Sequence, residues 1–213
     1  FQKKSLRSKK VHLNNYFIKD KKVVVATHNK GKVEEFKILF SKYNIQIMTS
    51  DDLNIDDVEE TGKSFEENSI IKVKTIPNDY VAIADDSGLC VKILNQEPGI
   101  FSARYAKKYG GWTEAMKKIY SRVEEEEKPD FSAKFVSCLS LKLCNGKIFT
   151  YIGEIKGKIT WPPKGDNGFG YDPFFIPIGE NLTYGEVEYS KKILSDHRSV
   201  AFKKLARVHL RNS

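Results

Sequence analysis

Cysteine is scarce in this chain: Cys90, Cys138 and Cys144 are the only three, and no two of them form a CxxC pair. An odd count without that spacing is expected of buried thiols in a reducing cytosol rather than of a disulfide framework. No apolar run approaches the roughly 18 residues of a membrane span, and the first residues lack the apolar core of a signal peptide. Internal repeats and low-complexity tracts are also missing. The expected setting is therefore cytoplasmic, with no membrane partner.

What is present describes a globular protein. With 213 residues, 40% hydrophobic, 12% aromatic and 30% charged, the chain is too apolar for a disordered segment and suits one domain that buries roughly 70% of its unfolded surface. The formal charge is +8 and the pI about 9.2, which favours polyanionic partners: a nucleic acid, an anionic surface or a phosphorylated substrate. Much of the excess sits at Lys3, Lys4, Arg7, Lys9, Lys10, Lys19, Lys21 and Lys22. Residues 1–22 are expected to be a flexible, solvated basic extension and residues 23–213 the domain proper.

Along the domain, residues 23–27 read as a strand. Val33, Phe36, Leu39, Phe40 and Tyr43 then fall at helical spacing. Residues 45–49 make a second strand, and residues 50–62 an acidic loop carrying Glu59 and Glu60. Ser64 with Glu67 has the pattern of a reciprocal capping box, opening a helix on which Asn68 and Lys72 share a face. A short strand at residues 81–84 leads to Asp85-Asp86-Ser87-Gly88 at its end, and strand resumes over residues 89–94. Trp112, Ala115, Met116, Ile119, Tyr120 and Val123 form a helical core stripe. Residues 131–144 and 147–156 read as strands joined by a two-residue turn at Asn145-Gly146. Residues 161–173, rich in Gly and Pro, cannot be regular. Thr183 with Glu186 suggests another capped helix, and Ser195 or Asp196 starts the last.

Three segments carry candidate chemistry. Thr27-His28-Asn29-Lys30-Gly31-Lys32 joins a strand to a helix, where free N–H groups and two lysines can hold a polyphosphate. It is not a Walker A loop, because Ala26 and Val33 stand where that motif needs Gly and Ser or Thr; alone, it reads equally as a plain turn. Asp85-Asp86 with Glu59-Glu60, carboxylates arriving from two separate loops, suit Mg²⁺, which takes one or two carboxylates plus phosphate and water; an Asp pair in a turn is the competing reading. Lys192, His197 and Arg198 can hold phosphate or base oxygens, or simply form a solvated helix start.

Taken together these segments resemble the inosine triphosphate pyrophosphatase family, the dITP/XTP diphosphatases. The matching blocks are residues 26–32, Glu59-Glu60-Thr61-Gly62, Phe65 with Glu67-Asn68 and Lys72, residues 83–89, residues 98–105, Gly168-Phe169-Gly170-Tyr171-Asp172-Pro173, and His197-Arg198. The resemblance implies an α/β fold with a long mixed central sheet flanked by helices, two lobes and an active-site cleft. It implies hydrolysis of ITP, dITP and XTP to monophosphate and pyrophosphate, which cleans the nucleotide pool. By similarity, Thr27, His28, Asn29, Lys30, Gly31, Lys32 and Lys72 hold the triphosphate. Glu60 and Asp86 bind Mg²⁺, Asp86 is also the base that activates water, and Ser87 contacts substrate. Phe169, Gly170, Tyr171 and Asp172 stack on and orient the base, while Lys192, His197 and Arg198 read its polar edge. A homodimer is typical of such enzymes, and no stable nucleic-acid partner is expected. The sequence departs from the family pattern at His28, where Gly is frequent, at Gly185 for Ala, and at Asp196, where a Ser commonly precedes His-Arg.

Overall fold

The computed structural model describes residues 17–18 and 22–210, so the expected flexible extension falls almost wholly outside the described residues. Six strands form one mixed sheet in the order β2-β1-β3-β4-β5-β6. Strand β1 (Lys22–Val25) is parallel to β2 (Gln46–Thr49) and to β3 (Ala82–Val91), whereas β4 (Ser132–Lys142), β5 (Ile148–Ile159) and the short β6 (Phe175–Pro177) continue antiparallel. Helices α1 (Lys30–Phe40), α2 (Phe65–Lys74), α3 (Ser102–Lys108), α4 (Trp112–Glu124), α5 (Tyr189–Lys192) and α6 (His197–His209) flank it.

Strands β3 and β4 are buried on both faces for most of their length, so each passes from one apolar core into another. At one end Val23, Val25, Ile83, Leu139 and Leu141 meet Phe36 and Phe40 of α1 and Phe202 and Leu205 of α6. At the other, Leu89, Val91 and Phe135 meet Ala106 of α3, Met116 and Ile119 of α4, and Phe174 and Phe175. On the opposite face, Val24, Ala82 and Ala84 pack under Val73 and Ile76 at the end of α2. Asp85, Asp86 and Ser87 stand on β3 between the two ends, where the strand passes from one lobe to the other.

Several local expectations need correction. Asp85-Asp86-Ser87-Gly88 is not a strand end but lies within an unbroken ladder, paired with Leu139, Cys138, Ser137 and Val136. Gly88 is there for close approach: a Cβ would overlap the Gly99 carbonyl and the Ser102 hydroxyl. The β4–β5 loop has three residues rather than two. The Gly146 N–H bonds the Leu143 carbonyl and the Leu143 N–H the Lys147 carbonyl, with only Gly146 left-handed, at φ 77°.

Ser64 does cap α2 through the Glu67 N–H, but the Glu67 carboxylate takes the N–H of Lys63, one residue earlier than a reciprocal box requires. Thr183 and Glu186 make both reciprocal capping bonds, yet only a turn follows, and α5 begins later. Cys144 is exposed, while Cys90 and Cys138 are buried. Trp112 opens the α4 stripe but is 38% exposed rather than core.

Helix α6 lies directly on β5, and Gly153 is what permits it. A Cβ at this position would overlap the His197 carbonyl and the Ala201 backbone. Gly153→Ala is therefore expected to destabilise the fold by about 2 kcal/mol or more through overpacking, read as a drop in the thermal midpoint; an unchanged midpoint would show that α6 can shift freely.

Candidate active site

Successive side chains leave a strand on opposite faces, so Asp85 and Asp86 enter different environments. Asp85, fully buried, faces α1 and α6. Its Oδ2 is 2.7 Å from Lys32 Nζ and 2.9 Å from Arg198 Nη2, and it accepts the Ser87 hydroxyl at 3.0 Å; Oδ1 accepts the Ser137 hydroxyl at 2.5 Å. Burial alone would raise this carboxyl, but the Arg198 and Lys32 cations hold it well below the usual range.

From Arg198 the charges continue in alternation. Its guanidinium also bonds Glu35 of α1, whose other oxygen lies 2.9 Å from Lys192 Nζ, and Lys192 in turn donates to Asp172 at 2.7 Å. Glu35 and Arg198 are wholly buried and Lys192 is 1% exposed. Asp172 also accepts the Phe169 N–H at 2.8 Å, so the network fixes the irregular 168–172 segment against α1, α5 and α6.

Asp86 faces α2. The buried Asn68 amide donates to its Oδ2 at 3.1 Å and accepts the Gly62 N–H at 2.8 Å, tying in the loop that carries Glu60. Lys72 Nζ lies 3.1 Å from Asp86 Oδ1 and 2.7 Å from Glu60 Oε1. Burial raises the Asp86 carboxyl above its ordinary value; Lys72 and Lys32 oppose this and Glu60 adds to it. Among the described residues no three His, Cys, Asp or Glu side chains cluster as a metal site. Two carboxylates from separate segments do converge on one cationic nitrogen, a donor set that fits a hard divalent ion completed by phosphate and water.

Between the Asp85 network and the 168–172 segment lies a cavity of about 100 Å³, whose lining includes Asn29, Lys32, Ser87, Trp112, Phe169 and Arg198. A more open cleft of about 850 Å³ lies beyond Lys192, bordered by Tyr184, Ile178 and Glu188. Lys32, Ser87 and Arg198 line the smaller cavity and not this cleft, which makes the smaller one the cavity that adjoins the Asp85 network; Asp86, Glu60 and Lys72 line neither. Phe169 packs on Gly31, where a Cβ would come within 2.6 Å of its ring, and lies 4.8 Å from Lys192 Nζ. Gly168 and Gly170, at φ 76° and 66°, give this turn a left-handed backbone that other residues resist.

Not every candidate residue lines this space with its side chain. The Thr27 hydroxyl accepts the Asn29 N–H, and the Asn29 side-chain Oδ1, at the cavity's edge, accepts the Lys32 N–H, so these two shape the turn. His28 pairs with Asp51 at 2.8 Å and Lys30 is exposed; neither joins the buried network. Tyr171 points into the core and donates to the Ser102 carbonyl at 3.2 Å. His197 is buried and stacked on Phe135 at 4.8 Å; burial and the nearby Arg198 push its pKa well down, so the ring is neutral. Its Nδ1, with Asp196 Oδ2 and Arg198 Nε, has no hydrogen-bond partner among the described residues.

Glu35 is the functional candidate that the sequence reading passed over. The available signal was its spacing: Lys32, Glu35, Phe36 and Leu39 fall at i, i+3, i+4 and i+7, which puts a charge pair on the buried face of α1.

A model of the Ham1 family matches residues 23–208. The chain belongs to the Ham1 family. Similar Ham1 relatives include the dITP/XTP pyrophosphatase of Gluconobacter oxydans, 39% identical over 84% of this chain and 86% of that protein. That of Caulobacter vibrioides is 40% identical over 86% and 95%. Among solved structures, a HAM1 protein from Coxiella burnetii superposes with a TM-score of 0.80 at 34% identity, covering 88% of this chain and 97% of that one. The Staphylococcus aureus Ham1 protein gives 0.76 at 34%, covering 87% and 96%. The mixed sheet with flanking helices is thus the Ham1 architecture.

Two stability predictions follow from the buried charges. Glu35→Ala would leave Arg198 and Lys192 short of a partner inside the protein, and a loss of about 3–5 kcal/mol is expected in chemical denaturation; a loss below about 1 kcal/mol would contradict the network. Asp196 caps α6 through the Ser199 N–H at 2.7 Å. Burial, with the Glu35 charge adding, pushes its carboxyl up to about 7. The folded state then holds that proton more tightly than the unfolded chain, so this contribution is present at acid pH and lost as the pH rises through about 7. Asp196→Ser keeps a capping oxygen; its thermal midpoint should exceed that of the parent above pH 7, the gap closing towards about pH 5. A gap that widens on acidification would reverse the assignment.

Proposed function

We propose that this Ham1 protein hydrolyses the non-standard purine nucleotides ITP, dITP and XTP, with water, to the nucleoside monophosphate and pyrophosphate, and that Mg²⁺ is its metal. The observation that carries the reading is the convergence of Asp86 and Glu60 on the single Lys72 cation, beside the Lys32 and Arg198 cations on the other face of the same strand. The names of its relatives support the substrate class.

In this reading Glu60 and Asp86 hold the metal, which when bound neutralises phosphate charge. Lys32, with Lys72 once its carboxylate partners are engaged, supplies positive charge where the α–β phosphoanhydride breaks and negative charge gathers on oxygen. Asp86 takes the proton of the attacking water. Asn68 keeps that carboxylate oriented. The N–H groups of Lys30 and Gly31 at the start of α1, next to the Lys32 N–H that Asn29 caps, face the phosphates. Phe169 and the 168–172 segment border the base, and Lys192, the neutral His197 and Arg198 are the polar groups at its edge. Arg198 and Lys192 are already held by Glu35, Asp85 and Asp172, so the base meets a preorganised edge. A 6-oxo group would satisfy donors that an adenine amino group leaves unpaired. The resemblance extends to a cytoplasmic homodimer.

Asp86→Asn is expected to lose at least about 100-fold in turnover, assayed as pyrophosphate release from ITP, XTP and dITP against ATP and GTP, with and without Mg²⁺. Near-normal turnover in a folded Asp86→Asn protein would remove the base role, and orthophosphate as the first product would place cleavage at the γ position.

A further inference from the structure

We propose that Trp112 is an aromatic wall of the nucleotide pocket that packs against the base-and-sugar half of the substrate, setting affinity rather than the rate of bond cleavage. The inference rests on the nucleotide reading above and deepens it. Trp112 is the first residue of α4. The residues at i+3, i+4 and i+7, Ala115, Met116 and Ile119, are buried beneath it, yet the indole itself remains 38% exposed and lines the cavity with Lys32, Ser87 and Phe169. Leaving a large apolar side chain half in water forgoes burial energy, and a ligand face recovers it.

The indole is also held rigidly. It stands edge-on against Tyr171, with ring centroids 5.1 Å apart and planes at 85°, and Tyr171 is itself buried and tethered to the Ser102 carbonyl. Beside the ring stands Gly170, where a Cβ would lie in van der Waals contact with the indole at 3.7 Å and which adds no side chain over it. A braced aromatic with an open face is a stacking platform.

The size of the cavity gives the platform its role. About 100 Å³ is well below the roughly 300 Å³ at which ligand pockets begin, so the nucleotide needs the Phe169 ring to turn aside while Asp172 and Lys192 hold the segment's backbone. Phe169 sits between two left-handed glycines, Gly168 and Gly170, whereas Trp112 is anchored on a helix and is the fixed wall. Its neighbours are the base-side segment and not the Asp86 face of β3, which places it on binding common to ground and transition states.

The chain has two tryptophans, Trp112 and Trp161, so Trp161→Phe leaves Trp112 as the sole indole emitter. Titration of that variant with IMP should change its emission saturably, whereas pyrophosphate alone should not. On ITP, Trp112→Ala should raise KM roughly tenfold or more with kcat held within about twofold, and Trp112→Phe should restore most of the affinity. Unchanged emission while calorimetry shows IMP bound, an equal change with pyrophosphate, or a parental KM in Trp112→Ala would overturn this inference alone. Failure of the unmodified protein both to bind IMP and to release pyrophosphate from ITP would overturn the nucleotide reading and the inference together.

Discussion

Because an extended strand sends adjacent side chains to opposite faces, Asp85 and Asp86 are committed to different partners before any packing is considered. Asp85 meets cations from α1 and α6, and Asp86 meets an amide and an ammonium from α2. Arg198 and Lys32 hold the first well below the usual carboxylate range, and it organises structure; burial holds the second above its ordinary value. One residue of register thus separates a structural carboxylate from the one proposed as the base. The uninterrupted ladder to β4 holds that register, since a slip of one position would exchange the two.

The alternating series from Asp172 through Lys192, Glu35, Arg198 and Asp85 to Lys32 joins segments that are remote in the chain. Buried pairs of this kind gain little net stability over an apolar core, because desolvation offsets much of the Coulomb attraction. What they enforce is arrangement: any displacement of α1, α5 or α6 leaves an uncompensated charge inside. The network therefore defines the position of the polar edge near His197, while the apolar cores at either end of the long strands carry the cohesion.

Much of this organisation was legible in the sequence. The β-branched run before Thr27, the apolar spacing along α1 and α4, and the Asp196 cap of α6 are local patterns whose physics does not depend on tertiary context. The pairing of Asn68 with Lys72 on one helical face was equally readable, and both reach Asp86. The misreadings arose where the same composition serves two states. Asp-Asp-Ser-Gly has turn chemistry, yet here Gly88 answers to the proximity of Gly99 and Ser102, a long-range contact that no local pattern reveals. Thr183 and Glu186 form a capping box without a helix because the reciprocal bonds stabilise the turn itself. Glu35 and the exposed indole of Trp112 escaped because a helical stripe reports which face turns inward, not whether that face meets apolar core, a counter-charge or a cavity.

The placement of Lys72 between Glu60 and Asp86 bears on how the protein reaches its native state. Two carboxylates brought together without a counter-ion would repel, and a domain built that way would have to take up a proton or a metal ion on closing. Here the chain carries its own neutralising charge, so the fold can be completed in ion-free surroundings. Any divalent ion that later enters must compete with a tethered ammonium. A divalent ion held by Glu60 and Asp86 would then not be needed for the fold to close.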